Sequence, residues 1–104
     1  MLPSVKIKVV DGGIVTVEGH LVTDTVSGID TANIAQQVVC SESFLDLAKV
    51  DKMDTAGLAW VVFVIGKVKC SGKSISIVKP PSQLLKLAEI SELTSSLPFT
   101  TEEG

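Results

Sequence analysis

The 104-residue sequence contains no arginine and no tyrosine, and only one histidine and one tryptophan. All nine basic residues are lysines, and twelve acidic residues leave a net charge of −3. Bidentate contacts to bases and phosphates favour arginine, and a negative surface repels a phosphate backbone. The composition therefore argues against nucleic-acid binding.

Cysteine and long apolar runs are equally scarce. Cys40 and Cys70 are too far apart, with a single histidine, to suggest a zinc site, so we expect both to be small core residues in a reducing compartment. The longest apolar run, Ala56 to Gly66, has eleven residues, whereas a membrane-spanning helix needs about 20. The amino terminus lacks the pattern of a signal peptide. These features predict a soluble, cytoplasmic protein without direct membrane insertion.

Hydrophobic periodicity predicts a single α/β domain over residues 1–104. The predicted order is ββαβαβα, a mixed β-sheet flanked by helices. The predicted strands are Val5 to Val9, Ile14 to Gly19, Ser43 to Val50 and Ser74 to Lys79; the predicted helices are Ser27 to about Val39, Thr55 to Cys70, and one that begins at Ser82. Residues 94–104 show no period and are expected to be a loosely ordered tail.

Two connections carry specific expectations. Ser27 and Asp30 have the spacing of a capping box, which predicts a helix that buries Ile29, Ala32, Ala35 and Val39. Residues Ala48 to Thr55 are predicted to be a loop that leaves the carboxyl end of a strand and enters a helix. Such loops are where α/β sheets concentrate their function.

The helix from Thr55 is apolar on both sides. Helical spacing predicts a core-facing stripe formed by Leu58, Val61, Val62, Ile65 and Val68. The opposite face would expose Ala56, Ala59, Trp60, Phe63, Lys67 and Cys70. An exposed apolar face with a polar rim favours a partner-binding site. The alternative is that another element, such as the tail with Phe99, covers this face.

Catalytic and metal-binding patterns are weak. Gly66 to Ser74 resembles a P-loop, but it has one residue too many and follows a helix instead of opening one. Asp51 and Asp54 could pair, yet no third ligand is near them in the sequence. We therefore predict no catalytic residues, no metal and no cofactor. The alternative from a different class is a nucleotide-binding enzyme that uses Lys73 and Ser74.

The segment around Thr55 resembles the characteristic motif of the STAS domain, which occurs in sulfate transporters and anti-sigma factor antagonists. The motif is a strand of the type Phe44-Leu45-Asp46-Leu47, a short loop, and then Asp54-Thr55-Ala56-Gly57-Leu58 at the start of an apolar helix. The resemblance extends from Val17 to Leu93 and omits the first strand and the tail. It implies a STAS-type fold and a non-catalytic, partner-binding role.

Within this family, "DTAGLAW" and "LLKLAEISEL" most resemble the small cytoplasmic STAS subunit of the Mla phospholipid ABC transport system. That resemblance implies binding to the ATPase subunit of the complex, at the inner membrane, in the maintenance of outer-membrane lipid asymmetry. The other branch, the anti-sigma factor antagonists, implies an anti-sigma factor kinase as partner and phosphorylation at Thr55. Either role would use one predicted surface: Asp54, Thr55, Ala56, Gly57, Ala59, Trp60 and Phe63, where Ala56 and Gly57 keep the surface low for a close approach.

Overall fold

Four strands form one sheet in the computed structural model, which describes residues 3–93 and 97–99. The strands lie side by side in chain order: β1 (Val5–Val10), β2 (Ile14–Leu21), β3 (Glu42–Met53) and β4 (Ser74–Val78). β1 and β2 form an antiparallel hairpin, and β2, β3 and β4 are parallel. The helices are α1 (Thr23–Val26), α2 (Thr31–Gln37), α3 (Thr55–Cys70) and α4 (Ser82–Ile90). The predicted mixed sheet flanked by helices is confirmed.

The hydrophobic core lies on one face of the sheet. Alternate strand residues are buried there, including Val15 and Val17 in β2, Leu45 and Leu47 in β3, and Ile75 and Ile77 in β4. Their neighbours in sequence, which point to the opposite face of the sheet, are half-buried or exposed. The second face is therefore open, as the alternation in the sequence indicates.

The strand predicted over Ser43 to Val50 is longer in the structure. β3 continues to Met53, because Lys52 and Met53 still pair with the end of β2. Register shifts interrupt the β2–β3 ladder, so buried Val50 and Met53 are three residues apart and the period-2 pattern disappears. The prediction of a loop over Ala48 to Thr55 was wrong, because only Asp54 separates β3 from α3.

The single helix predicted over Ser27 to Val39 is also wrong. The structure has two short helices, and Asp30, not Ser27, is the N-cap of the second: its carboxylate accepts a hydrogen bond from the Asn33 amide at 3.1 Å. Thr31, Ile34 and Val38 are buried, whereas Val39 is exposed. The break moves the buried face of α2 by one residue from its predicted position, from Ala32 and Ala35 to Thr31 and Ile34.

Part of the predicted tail lies outside the described residues, namely 94–96 and 100–104. Of the remainder, Leu97 is buried and Phe99 bridges to Ile77 beside β4. Phe99 therefore lies at the β4 edge of the sheet.

Candidate partner-binding site

Asp54 connects β3 to α3 and also contacts the start of α1. Its carboxylate caps the helix by accepting a hydrogen bond from the Gly57 amide at 3.1 Å. The second carboxylate oxygen accepts two hydrogen bonds from Thr23, from the backbone amide at 3.0 Å and from the hydroxyl at 3.1 Å. Asp54 therefore fixes the first turn of α3 against the start of α1.

These hydrogen bonds also determine the charge of Asp54. Burial of the carboxyl group acts to raise its pKa, but hydrogen bonds from Thr23, Gly57 and Ala56 stabilise the ionised form and together lower the pKa below its ordinary value of 3.8. Asp54 is therefore an anion at neutral pH. The surface around Thr55 carries a fixed negative charge.

Gly57 has a different role from the predicted one. It is buried in the first turn of α3, and a Cβ atom at this position would lie 2.1 Å from the Leu21 carbonyl oxygen and 2.9 Å from Cγ of Met53. The glycine thus permits close packing of α3 on the end of β2. The expectation that Gly57 forms part of a low outer surface was wrong.

The predicted faces of α3 need a second correction. Trp60 is 3% exposed, and its indole N–H donates a buried hydrogen bond to the Thr31 hydroxyl at 2.9 Å. Val62, predicted to face the core, is 42% exposed, and Val64 is fully buried in its place. The expected exposure of Trp60 was wrong because α2 packs beside α3 and covers its ring, a contact between residues 29 positions apart.

An apolar groove of about 540 Å³ runs beside this helix. One side is formed by α3 through Ala56, Ala59 and Phe63, and the other by residues in and around α1 and α2. Phe63 is 53% exposed, and the Lys67 amino group lies 5.4 Å from its ring centroid. The residues that line the groove are Val26, Ile29, Thr31, Ala56, Ala59, Trp60 and Phe63.

The seven predicted site residues therefore separate into three groups. Thr55, Ala59 and Phe63 are exposed; Asp54 and Ala56 are half-buried; Gly57 and Trp60 are buried. The sequence analysis missed the residues that complete the site from the other side, Thr23, Val26, Ile29 and Thr31. Local patterns hold no information on these residues, because they meet α3 only through the tertiary fold.

The remaining candidates do not form sites. Gly66 to Ser74 runs from the end of α3 into β4, the reverse of a phosphate-binding loop. Within the described ranges, no three His, Cys, Asp or Glu side chains lie close enough to hold a metal ion. Cys40 and Cys70 are exposed free thiols, so the prediction that they are core residues was wrong.

Comparison with known proteins identifies the family. The family model of the STAS domain matches residues 4–104, and the chain belongs to this family. Comparison with curated proteins gives no match. None of the helices in residues 3–93 and 97–99 has the length and apolar character needed to cross a membrane.

Solved structures share the fold at low sequence identity. The chain is similar to the anti-sigma factor antagonist SpoIIAA in its unphosphorylated form, with a TM-score of 0.66 and 17% identity over 94% of this chain and 89% of that one. It is also similar to the phosphorylated form of SpoIIAA, a cell fate determinant of Bacillus, with a TM-score of 0.65 and 17% identity over 94% and 92% of the two chains. A putative anti-sigma factor antagonist from Thermotoga maritima gives 0.60 and 17% over 90% and 83%.

Proposed function

We propose that this chain is a non-catalytic STAS subunit that binds the ATPase of a bacterial phospholipid-transport ABC complex. The observation that carries the proposal is the exposed Thr55 at the start of α3, next in sequence to Ala56, which lines the apolar groove. The partner would cover Thr55, Ala59 and Phe63 and place an apolar side chain in the groove. Asp54 would hold the first turn of α3 in place for this contact.

The physical case rests on what the site offers a partner. Trp60 and Thr31 satisfy each other's polar groups at the base of the groove, so an apolar side chain could enter without leaving these groups unpaired. Ala56 and Ala59 are small, which lets a partner backbone approach α3 closely. An exposed aromatic ring such as Phe63 is a frequent source of binding energy at protein interfaces.

The identity of the partner rests on the resemblance of two segments, Asp54 to Trp60 and Leu84 to Leu93, to the STAS subunit of the Mla system. In this role the chain would stabilise or activate the ATPase and would lie in the cytoplasm at the inner membrane through its complex. It would need no cofactor of its own. Its contribution would be to the maintenance of lipid asymmetry in the outer membrane.

One alternative function also has a specific observation in its favour. The Thr55 hydroxyl is exposed at a helix N-terminus, where the unpaired amides and the helix dipole tolerate a phosphate group. SpoIIAA, which shares this fold, has been solved in phosphorylated and unphosphorylated forms. The chain would then be an anti-sigma factor antagonist, modified at Thr55 by a partner kinase.

Affinity purification of the tagged chain from its own cells, followed by mass spectrometry, distinguishes the two functions. We expect an ABC-type ATPase and its permease; an anti-sigma factor kinase would favour the alternative, and neither partner would overturn both. Ala59→Arg fills the groove and should abolish capture. Val62→Arg is the matched control, because Val62 is exposed on the same helix but does not line the groove. Equal capture by both variants would contradict the proposed site.

A further inference from the structure

Among the residues that the structure describes, no strand pairs with the outer edge of β1. In the described part of the chain it is the outermost strand, and β2 is its neighbour on one side only. The His20 amide donates to the Ser4 carbonyl at 2.8 Å, so Ser4, Lys6, Lys8 and Val10 direct their backbone groups towards β2. It follows that Val5, Ile7 and Val9 direct their N–H and C=O groups outward, where another strand could pair with them.

A cleft of about 450 Å³ lies along this edge. Val5 and Ile7 line it from β1, and Ile29 and Ile34 line it from the segment that contains α2. A strand added to β1 would direct alternate side chains into this cleft, whose lining combines these apolar side chains with polar ones. Its other side chains would lie on the open face of the sheet, beside Lys6 and Lys8.

Charge determines which strand fits this edge. Lys6 and Lys8 project from the open face, and only Lys6 has an acidic residue, Glu18, opposite it in β2. On the cleft side, Asp24 and Asp30 line the same cavity and disfavour an acid there. The edge therefore matches a strand that carries acidic residues on one face and apolar residues on the other.

A second copy of this chain is a poor match for the same edge. Antiparallel pairing of two β1 strands about Ile7 would place Lys6 of each copy opposite Lys8 of the other. Like charges directly opposite each other destabilise a strand pair, and edge lysines are a common means of preventing such self-pairing.

We propose that the outer edge of β1 binds an extended, acidic segment of a partner protein by strand addition. Backbone hydrogen bonds to Val5, Ile7 and Val9 supply the pairing. Lys6 and Lys8 select acidic residues at every second position, and the apolar side chains of the cleft contact the apolar residues between them. Ile29 lines both this cleft and the groove beside α3, but β1 itself does not line that groove. The proposal does not depend on the function proposed for the groove.

Synthetic peptides test the proposal with the full chain. An eight-residue peptide that alternates Glu and Val is the probe, and the control alternates Lys and Val at the same length. Titration followed by amide NMR should show saturable binding of the Glu–Val peptide only, with slowed hydrogen exchange at Val5, Ile7 and Val9. N-methylation of alternate peptide amides, chosen to face β1, should abolish binding.

Charge reversal supplies the second arm. Lys6→Glu combined with Lys8→Glu alters two exposed residues and should reduce Glu–Val affinity about tenfold or more while making the Lys–Val peptide the better ligand. Thr55→Glu should leave peptide binding unchanged. Equal binding of the two peptides to the wild-type chain, no binding at millimolar concentration, or protection at another strand would overturn the proposal. So would concentration-dependent self-association that protects the β1 amides without peptide.

Discussion

Two glycines in α3 allow the same substitution to be tested in opposite environments. Gly57→Ala adds a Cβ that meets the Leu21 carbonyl oxygen at 2.1 Å, and a backbone atom cannot rotate away as a side chain could. α3 must therefore move by about an ångström, and the motion also strains the 3.4 Å hydrogen bond from the Asp54 amide to the same oxygen. Gly66 is exposed, and the Cβ atom that Gly66→Ala adds there has no neighbouring atom within 4 Å.

The magnitudes follow from two terms of opposite sign. Alanine is favoured over glycine within a helix by about 0.8–1 kcal/mol, which is the only term at Gly66. At Gly57 overpacking against the backbone costs about 3 kcal/mol, at the upper end of its usual range, so the net loss there is about 2 kcal/mol. The two variants should thus differ by about 3 kcal/mol, or roughly 10 °C or more in Tm.

Urea unfolding followed by far-UV circular dichroism measures both variants against wild type. We expect Gly66→Ala to raise the midpoint and Gly57→Ala to lower it, with similar m-values. If Gly57→Ala matched or exceeded the wild-type midpoint, the close approach of α3 to β2 would be refuted.

Three further predictions test the packing around the site. Val64→Ala should lower the free energy of unfolding by about 1–3 kcal/mol through cavity formation. Val62→Ala, on the exposed side of α3, should change it by less than about 0.5 kcal/mol. Equal urea midpoints for the two variants would contradict the observed buried face of α3. Trp60 fluorescence should resist quenching by acrylamide, and ready quenching would show that the ring is exposed. Trp60→Phe should lower the free energy of unfolding by about 1–3 kcal/mol, because the buried Thr31 hydroxyl loses its hydrogen-bond donor. The pKa of Asp54 is lowered in the folded state, so its stabilising contribution is present above its unfolded pKa of about 3.8 and is lost as pH falls through the folded value. The difference in stability between wild type and Asp54→Asn should therefore shrink in urea titrations at acid pH. A difference that stays constant down to the lowest pH would refute the charge assigned to Asp54.

The sequence predicted the elements that have strong local patterns. α3 was predicted with both bounds correct, because Asp54 caps its start and Lys67, Lys69 and Gly72 mark its end. The β1–β2 hairpin and β4 were recognisable from their alternating residues. The mixed sheet followed from the alternation of strands and helices along the chain.

The errors arose where tertiary contacts determine local structure. Nearly every residue of α3 is apolar, so periodicity could not show that α2 covers Trp60 and leaves Val62 exposed. Gly57 carries no mark that separates a surface glycine from one packed on β2. Likewise, the hydrogen bonds from Thr23 to Asp54 span 31 residues. The motif located the site, but only the fold revealed which of its side chains are available to a partner.

The affinity of Thr55→Glu for the purified ATPase partner, measured by isothermal titration calorimetry, tests the central claim most directly. The new carboxylate lies beside Asp54 at an apolar contact surface, so binding should weaken about tenfold or more while the Tm stays close to wild type. Thr55→Ser keeps the hydroxyl and should bind normally. Ser82→Glu is the matched control, since Ser82 is the exposed first residue of α4, as Thr55 is of α3. Wild-type affinity for Thr55→Glu, or an equal loss for Ser82→Glu, would contradict a partner surface centred on Thr55.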